Sequence, residues 1–173
     1  EEVIDFKAVN DAGRNCVMLA CMEGDLERLK YLIEKGGSID VVDKYQNSCL
    51  HLACSGKQCF DIVKYLLDEG LDVNMRNKTK STALHRACAG ETDLSVLEIL
   101  LKAGADVNAI NTINVTPFLY LCQYGDKKEM KLLLDAGCDW RFKNKNGRTG
   151  LDYARLDNKK GVAVWLEEYI KKL

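Results

Sequence analysis

Thr82-Ala83-Leu84-His85-Arg86-Ala87 decides how this chain is read, because its pattern returns at shifts of 33 or 34 residues in both directions. Before it stand Asn15-Cys16-Val17-Met18-Leu19-Ala20 and Ser48-Cys49-Leu50-His51-Leu52-Ala53. After it stand Thr116-Pro117-Phe118-Leu119-Tyr120-Leu121 and Thr149-Gly150-Leu151-Asp152-Tyr153-Ala154. A second marker keeps the same register: Gly70-Leu71-Asp72-Val73-Asn74 and Gly104-Ala105-Asp106-Val107-Asn108, with looser versions at Gly36 to Asp40 and Gly137 to Arg141. A period of this size means one small structural unit used repeatedly.

Each copy holds two amphipathic stretches of about ten residues, separated by a polar break containing Gly or Asp, which predicts two short helices per copy. Thr or Ser at the start of the first stretch suits a helix N-cap, and Pro117 falls at the first helical position, where a missing N–H costs nothing. The second stretch is richer in aliphatics, as in Ile62 to Leu67 and Val96 to Leu101, and it ends at Gly70, Gly104 or Gly137, which suit a left-handed terminator. One copy cannot bury its own apolar face, so neighbours must stack into a continuous core. Ala53 to Leu66 and Ala87 to Leu100 span 13 positions where Ala20 to Leu32 spans 12. That predicts an extra residue near Gly56 to Cys59 and Gly90 to Asp93.

The reading gives one domain over 1–173, with the end of a partial repeat in 1–10 and repeats at about 11–43, 44–77, 78–111, 112–144 and 145–173. Asp5-Phe6-Lys7-Ala8-Val9-Asn10 matches the closing segment of a copy, and the first residue is not Met, so the chain reads as an excised piece with a cut first repeat. Glu167, Glu168, Lys171 and Lys172 give the last stretch the polar outer face that a capping repeat requires.

The two markers resemble those of the ankyrin repeat, Thr-Pro-Leu-His-x-Ala and Gly-Ala-Asp-Val-Asn with a period of about 33, over essentially the whole chain. The resemblance implies an all-α solenoid of stacked helix-turn-helix units with projecting β-turns. It also implies a protein-protein interaction scaffold that binds a partner protein on a concave surface built from the turn tips and the exposed side of the first helix. The tip positions are then Asp11, Ala12 and Arg14; Lys44, Tyr45 and Asn47; Lys78, Thr79 and Ser81; Thr112, Ile113 and Val115; and Lys145, Asn146 and Arg148. The helix positions are Met22 and Glu23, Ser55 and Gly56, Ala89 and Gly90, Gln123 and Tyr124, and Leu156 and Asp157. Turn tips should be polar, so Tyr45, Ile113 and Val115, with Met22 and Tyr124 beside them, suggest an interaction patch flanked by Lys78, Lys145 and Arg148. The competing reading packs Ile113 and Val115 against neighbouring turns. The alternative function is a substrate-recruiting module of a larger enzyme, a kinase, acyltransferase or ubiquitin-system protein, whose catalytic domain lies outside the chain. Asn74 and Asn108 are similar to the asparagines hydroxylated in animal ankyrin repeats.

Catalytic chemistry has no visible machinery. Eight cysteines invite a disulfide or zinc reading. Cys21, Cys54, Cys88 and Cys122 all lie six residues after the Thr slot, however, and stacked helices stand about 8–10 Å apart, too far for a disulfide or for zinc at about 2.3 Å per thiolate. Structural free thiols are expected, with Cys59 and Cys138 as the more exposed members where redox chemistry would fall. Thiols in this number point to a reducing compartment, cytoplasm or nucleus. His51 and His85 fill the family's His slot, which implies hydrogen bonds to backbone that tie turns together, and no nucleophile or acid is spaced to use them. There is no phosphate-binding loop, dinucleotide fingerprint or zinc-protease motif. The chain is therefore expected to be no enzyme and to need no metal or cofactor.

Charges nearly cancel, 25 basic against 26 acidic, which removes the field expected of a nucleic-acid binder. Lys143, Lys145, Arg148, Lys159 and Lys160 form a basic group, yet regular aromatic stacking platforms are missing beside it. Residues 1–40 carry nine acids and five bases and residues 141–173 nine bases and four acids, a gradient able to steer a charged partner. Apolar runs such as Ile99-Leu100-Leu101 fall far short of the roughly 18 residues that cross a bilayer, and the expectation is a monomer that meets no membrane.

Overall fold

The computed structural model describes residues 4–56, 59–90, 93–156 and 160–172. Of the stretches where an extra residue is expected, 57–58 and 91–92 lie outside the described residues, as do Asp157, Lys159 and the Lys160 side chain. Among the described residues are ten helices and no strand: α1 Cys16–Glu23, α2 Leu26–Glu34, α3 Cys49–Ala53, α4 Phe60–Asp68, α5 Ala83–Ala89, α6 Leu94–Lys102, α7 Pro117–Tyr124, α8 Lys127–Asp135, α9 Gly150–Leu156 and α10 Lys160–Ile170. They pack as successive pairs. The first helices stack in the order α1, α3, α5, α7, α9, and behind them α4, α6, α8 and α10 do the same.

Local rules set the helix ends. Asn15, Ser48, Thr82 and Thr116 hold extended backbone, and each accepts a hydrogen bond from the N–H three residues on, satisfying a donor that the helix leaves orphaned. Gly70, Gly104 and Gly137 sit at φ 87°, 86° and 84° just past the second helix. The next N–H then folds back onto the last turn, Leu71 to the Leu66 carbonyl at 3.1 Å and Ala105 to that of Leu100 at 3.0 Å.

The repeat becomes columns of buried side chains. Leu32, Leu66, Leu100, Leu133 and Leu166 line up through the second helices, all buried. Through the first helices run Val17, Leu50, Leu84 and Phe118, also buried, while their counterpart Leu151 is only partly buried. Burying one such leucine contributes roughly 1.5–3 kcal/mol.

All eight cysteines are free. The Cys21, Cys54, Cys88 and Cys122 column is sealed from solvent, and at its two ends the thiol packs against the start of the next first helix. The tightness shows at Gly150, where an added Cβ would come within 2.6 Å of Cys122 Sγ. In the same place Cys21 meets Cys49, whose hydrogen bond, together with burial, raises the Cys21 thiol. Burial pushes Cys54 and Cys88 well above the ordinary thiol value and Cys138 up to about 12, so their thiolates are scarce and unreactive. Cys59 and Cys138 are not the exposed members expected, at 1 % and 6 %; Cys16 alone is partly exposed. Cys59 lies immediately before α4 and its side chain turns into the core, which its position next to a polar break does not disclose.

Candidate functional site

Five short turns project from the helix stack, at 10–14, 43–47, 77–81, 111–115 and 144–148, and their backbones are near copies of one another. In each, the first residue is Asn or Asp. Its side-chain oxygen accepts two N–H bonds: Asn77 Oδ1 takes those of Thr79 and Ser81 at 3.0 Å, and Asn111 Oδ1 those of Ile113 and Val115 at 3.2 and 3.0 Å. Asn10, Asp43 and Asn144 do the same. Such side chains mimic a backbone turn and rigidify it. The fourth residue of every turn has positive φ, Gly13, Gln46, Lys80, Asn114 and Gly147.

The turns are laced together. Lys44 N–H donates to the Ala12 carbonyl at 3.1 Å, Lys78 to that of Tyr45 at 3.0 Å and Thr112 to that of Thr79 at 2.8 Å. His51 and His85 brace them from below. His85 Nδ1 receives the Thr82 N–H at 3.1 Å, so Nε2 carries the proton and donates to the Val115 carbonyl at 3.1 Å. His51 joins Ser48 to the Ser81 carbonyl, at 2.9 Å, in the same way. Burial lowers both imidazoles, His85 to about 4, so both are neutral at pH 7. At the first junction Arg14 pairs with Asp43 at 3.1 Å. Burial alone would raise that carboxyl; bonds from Asn47, Arg14 and the Tyr45 N–H hold it below its ordinary value.

The residues expected to bind a partner fall into two groups. Tyr45, Ile113 and Tyr124 are 49 %, 60 % and 57 % exposed on this tip face, and Lys78, Lys145 and Arg148 are exposed beside them. Val115 and Met22 are only partly exposed: the Val115 backbone is held by His85, and Met22 Sδ accepts from Arg14 Nη1 at 3.2 Å. Asn47 and Ser81, read as tip positions, are buried inside the turn. These two side chains are closed off from solvent, whereas Arg148 in the same column is exposed.

Arg86 and Tyr120 were not among the expected contacts. They occupy the slot after the histidine, filled along the chain by Leu19, Leu52, Arg86, Tyr120 and Tyr153, which floors the tip face. Thr79, Ser81, His85, Arg86, Ala89 and Tyr120 line a recess of about 270 Å³. Tyr120 stands edge-on to His85 at 6.2 Å and stacks with Tyr124 at 6.4 Å. Its hydroxyl accepts from Asn111 Nδ2 at 3.3 Å, and Arg86 Nη2 donates to Asn47 Oδ1 at 3.3 Å. The signal was present in the repeat itself, since this slot recurs with the same period as the tips.

Asn74 and Asn108 lie away from this face. The Asn74 carboxamide bridges to the next copy, donating to the Gly104 carbonyl at 2.9 Å and accepting the Asp106 N–H at 2.8 Å. Asn108 repeats the bridge to Gly137 and Asp139.

Among the described residues no group of three or more His, Cys, Asp or Glu is placed to hold a metal ion, and no helix is long and apolar enough to cross a membrane. A family model described as ankyrin repeats in three copies matches residues 2–77 and 84–172. No curated protein matches the chain.

Proposed function

The chain belongs to the ankyrin-repeat family, whose members generally serve as protein-protein interaction modules, and on that premise we propose that it holds a partner protein on the concave face formed by its turn tips and first helices. The supporting observation is the exposure of Tyr45, Ile113 and Tyr124 on turns and a helix that hydrogen bonds keep rigid. Large apolar side chains on a preorganised frame lose little freedom on binding, and tyrosine is a frequent anchor. Lys78, Lys145 and Arg148 surround the anchors. The family is typically non-catalytic, and the protein acts by presenting this surface as a monomer. It works in a reducing compartment, cytoplasm or nucleus, in keeping with eight free thiols.

Replacing Tyr45, Ile113 and Tyr124 together by Ala tests the reading. Capture of the natural partner from an extract of the source cells should fall at least about tenfold, as for hot-spot anchors, with thermal unfolding unchanged. Undiminished capture by the triple variant overturns the proposal.

A further inference from the structure

The five tip segments contain six bases and two acids, so they carry four positive charges net, while the rest of the chain carries five negative ones to reach −1. One of the two acids is Asp43, whose carboxylate is fully buried and committed to Arg14. The asymmetry that runs along the sequence is thus also an asymmetry between faces. Over the last three tips the exposed charges follow an order: Lys78 and Lys80, then an uncharged tip led by Ile113, then Lys145 and Arg148. Lys80 holds a left-handed backbone at φ 55°, where the first and last tips have Gly13 and Gly147. A lysine kept in that strained region places charge at the tip against backbone preference.

Arg86 is the one charged side chain on the floor. No carboxylate among the described residues pairs with it, and a single bond to Asn47 leaves most of its guanidinium fork open in the recess. Beside it the Tyr120 hydroxyl accepts from Asn111 and keeps its own proton to donate. Both side chains line the same recess, and a guanidinium and a hydroxyl are donors that suit a carboxylate.

We infer that this face receives an acidic protein segment in which an apolar residue is flanked by carboxylates. The apolar side chain meets Ile113, the flanking acids meet the lysines on either side, and Arg86 with Tyr120 holds one carboxylate on the floor. The inference rests on the proposed function and adds the chemistry of the partner. A nucleic acid fits less well. Single strands are held by rings with free faces at regular intervals, whereas Tyr120 and Tyr124 stack on each other and Lys44 covers Tyr45 at 5.1 Å. The apolar tip also interrupts the basic row that a phosphate chain would follow.

The test uses a short fluorescein-labelled peptide of repeated Glu-Leu-Glu units, the same peptide with Lys in place of Glu, and an oligothymidine, read by fluorescence anisotropy. The acidic peptide should bind and the basic one should not, and raising salt should weaken binding several-fold. Arg86→Gln should weaken it roughly tenfold, as loss of one charged hydrogen-bonding partner does, and Lys78→Glu with Lys145→Glu should weaken it further, with circular dichroism unchanged in both. No binding of the acidic peptide, full binding by both variants, or tighter binding of the oligothymidine overturns the inference. A partner that survives Arg86→Gln and high salt but is lost with the Tyr45, Ile113 and Tyr124 triple variant also overturns it, and leaves the proposed function standing.

Discussion

Leu84 on α5 and Leu151 on α9 hold the same place in the repeat, yet Leu84 is sealed and Leu151 is only partly buried. α5 packs between α3 and α7, while α9 packs against α7 and α10. The next slot differs too. His85 caps its own helix and reaches the Val115 carbonyl of the following turn, whereas Asp152 accepts from the Thr149 N–H and hydroxyl at 2.8 Å and stops there. Where the inner copies continue the thiol column, the last has Arg155, paired with Glu167 at 2.5 Å. Inner copies therefore share stability with a neighbour on each side, while the last pair adds its internal ion pair to contacts with one neighbour, among them the Tyr169 hydroxyl donating to Asp135 of α8.

The largest effect should separate the two leucines. Leu84→Ala should cost about 2–5 kcal/mol, as for a fully buried leucine that leaves a cavity, and Leu151→Ala no more than about half of that. Urea unfolding midpoints would measure both, and equal losses would break the comparison.

Acid should distinguish the centre from the end. Burial lowers His85 from 6.5 to about 4, so the unfolded chain takes up the proton first as pH falls. Its contribution is complete above about pH 6.5 and is lost between there and about pH 4, up to about 3 kcal/mol in all. His51, lowered by the same cause, acts in the same direction. Asp152 is lowered from 3.8 by its bonds from Thr149, so its contribution is present above about pH 4 and fades only below it. His85→Gln should lower stability at pH 7 and flatten the loss between pH 6.5 and 4, whereas Asp152→Asn should leave that window as it is. An unchanged acid profile in His85→Gln would remove the histidine from the account of the centre.

The smallest effect concerns the tips. Gly13 and Gly147 relieve the positive φ of the outer turns, while Gln46, Lys80 and Asn114 bear it inside. Lys80→Gly should raise stability by less than about 1 kcal/mol, since relief of left-handed strain outweighs the added chain entropy only slightly. The same variant should weaken binding of the acidic peptide. A clear loss of stability would show that Lys80 is not held there at a cost, and undiminished peptide binding would show that its charge does not serve the acidic segment.

Much of the fold was legible because its rules are local and the repeat restates them. Thr82 and Thr116 mark helix starts by the hydrogen bond a hydroxyl can give back, Gly70 and Gly104 mark ends by the φ they allow, and the shift of 33 or 34 residues puts Cys21, Cys54, Cys88 and Cys122 in one column before any coordinate is known. The exposure of Tyr45, Ile113 and Tyr124 followed from the same register. Equivalence along the chain does not say which side chain crosses between copies. Met22 folds under Arg14, Asn47 and Ser81 turn inward, Cys59 is sealed, and His85 meets Val115 across 30 residues of sequence. The period by itself determined the unit, its ends and its stacking. Only the tertiary structure decided which side chains brace a neighbour and which, like Arg86, are left with open donors, because that depends on the distance and orientation between stacked copies.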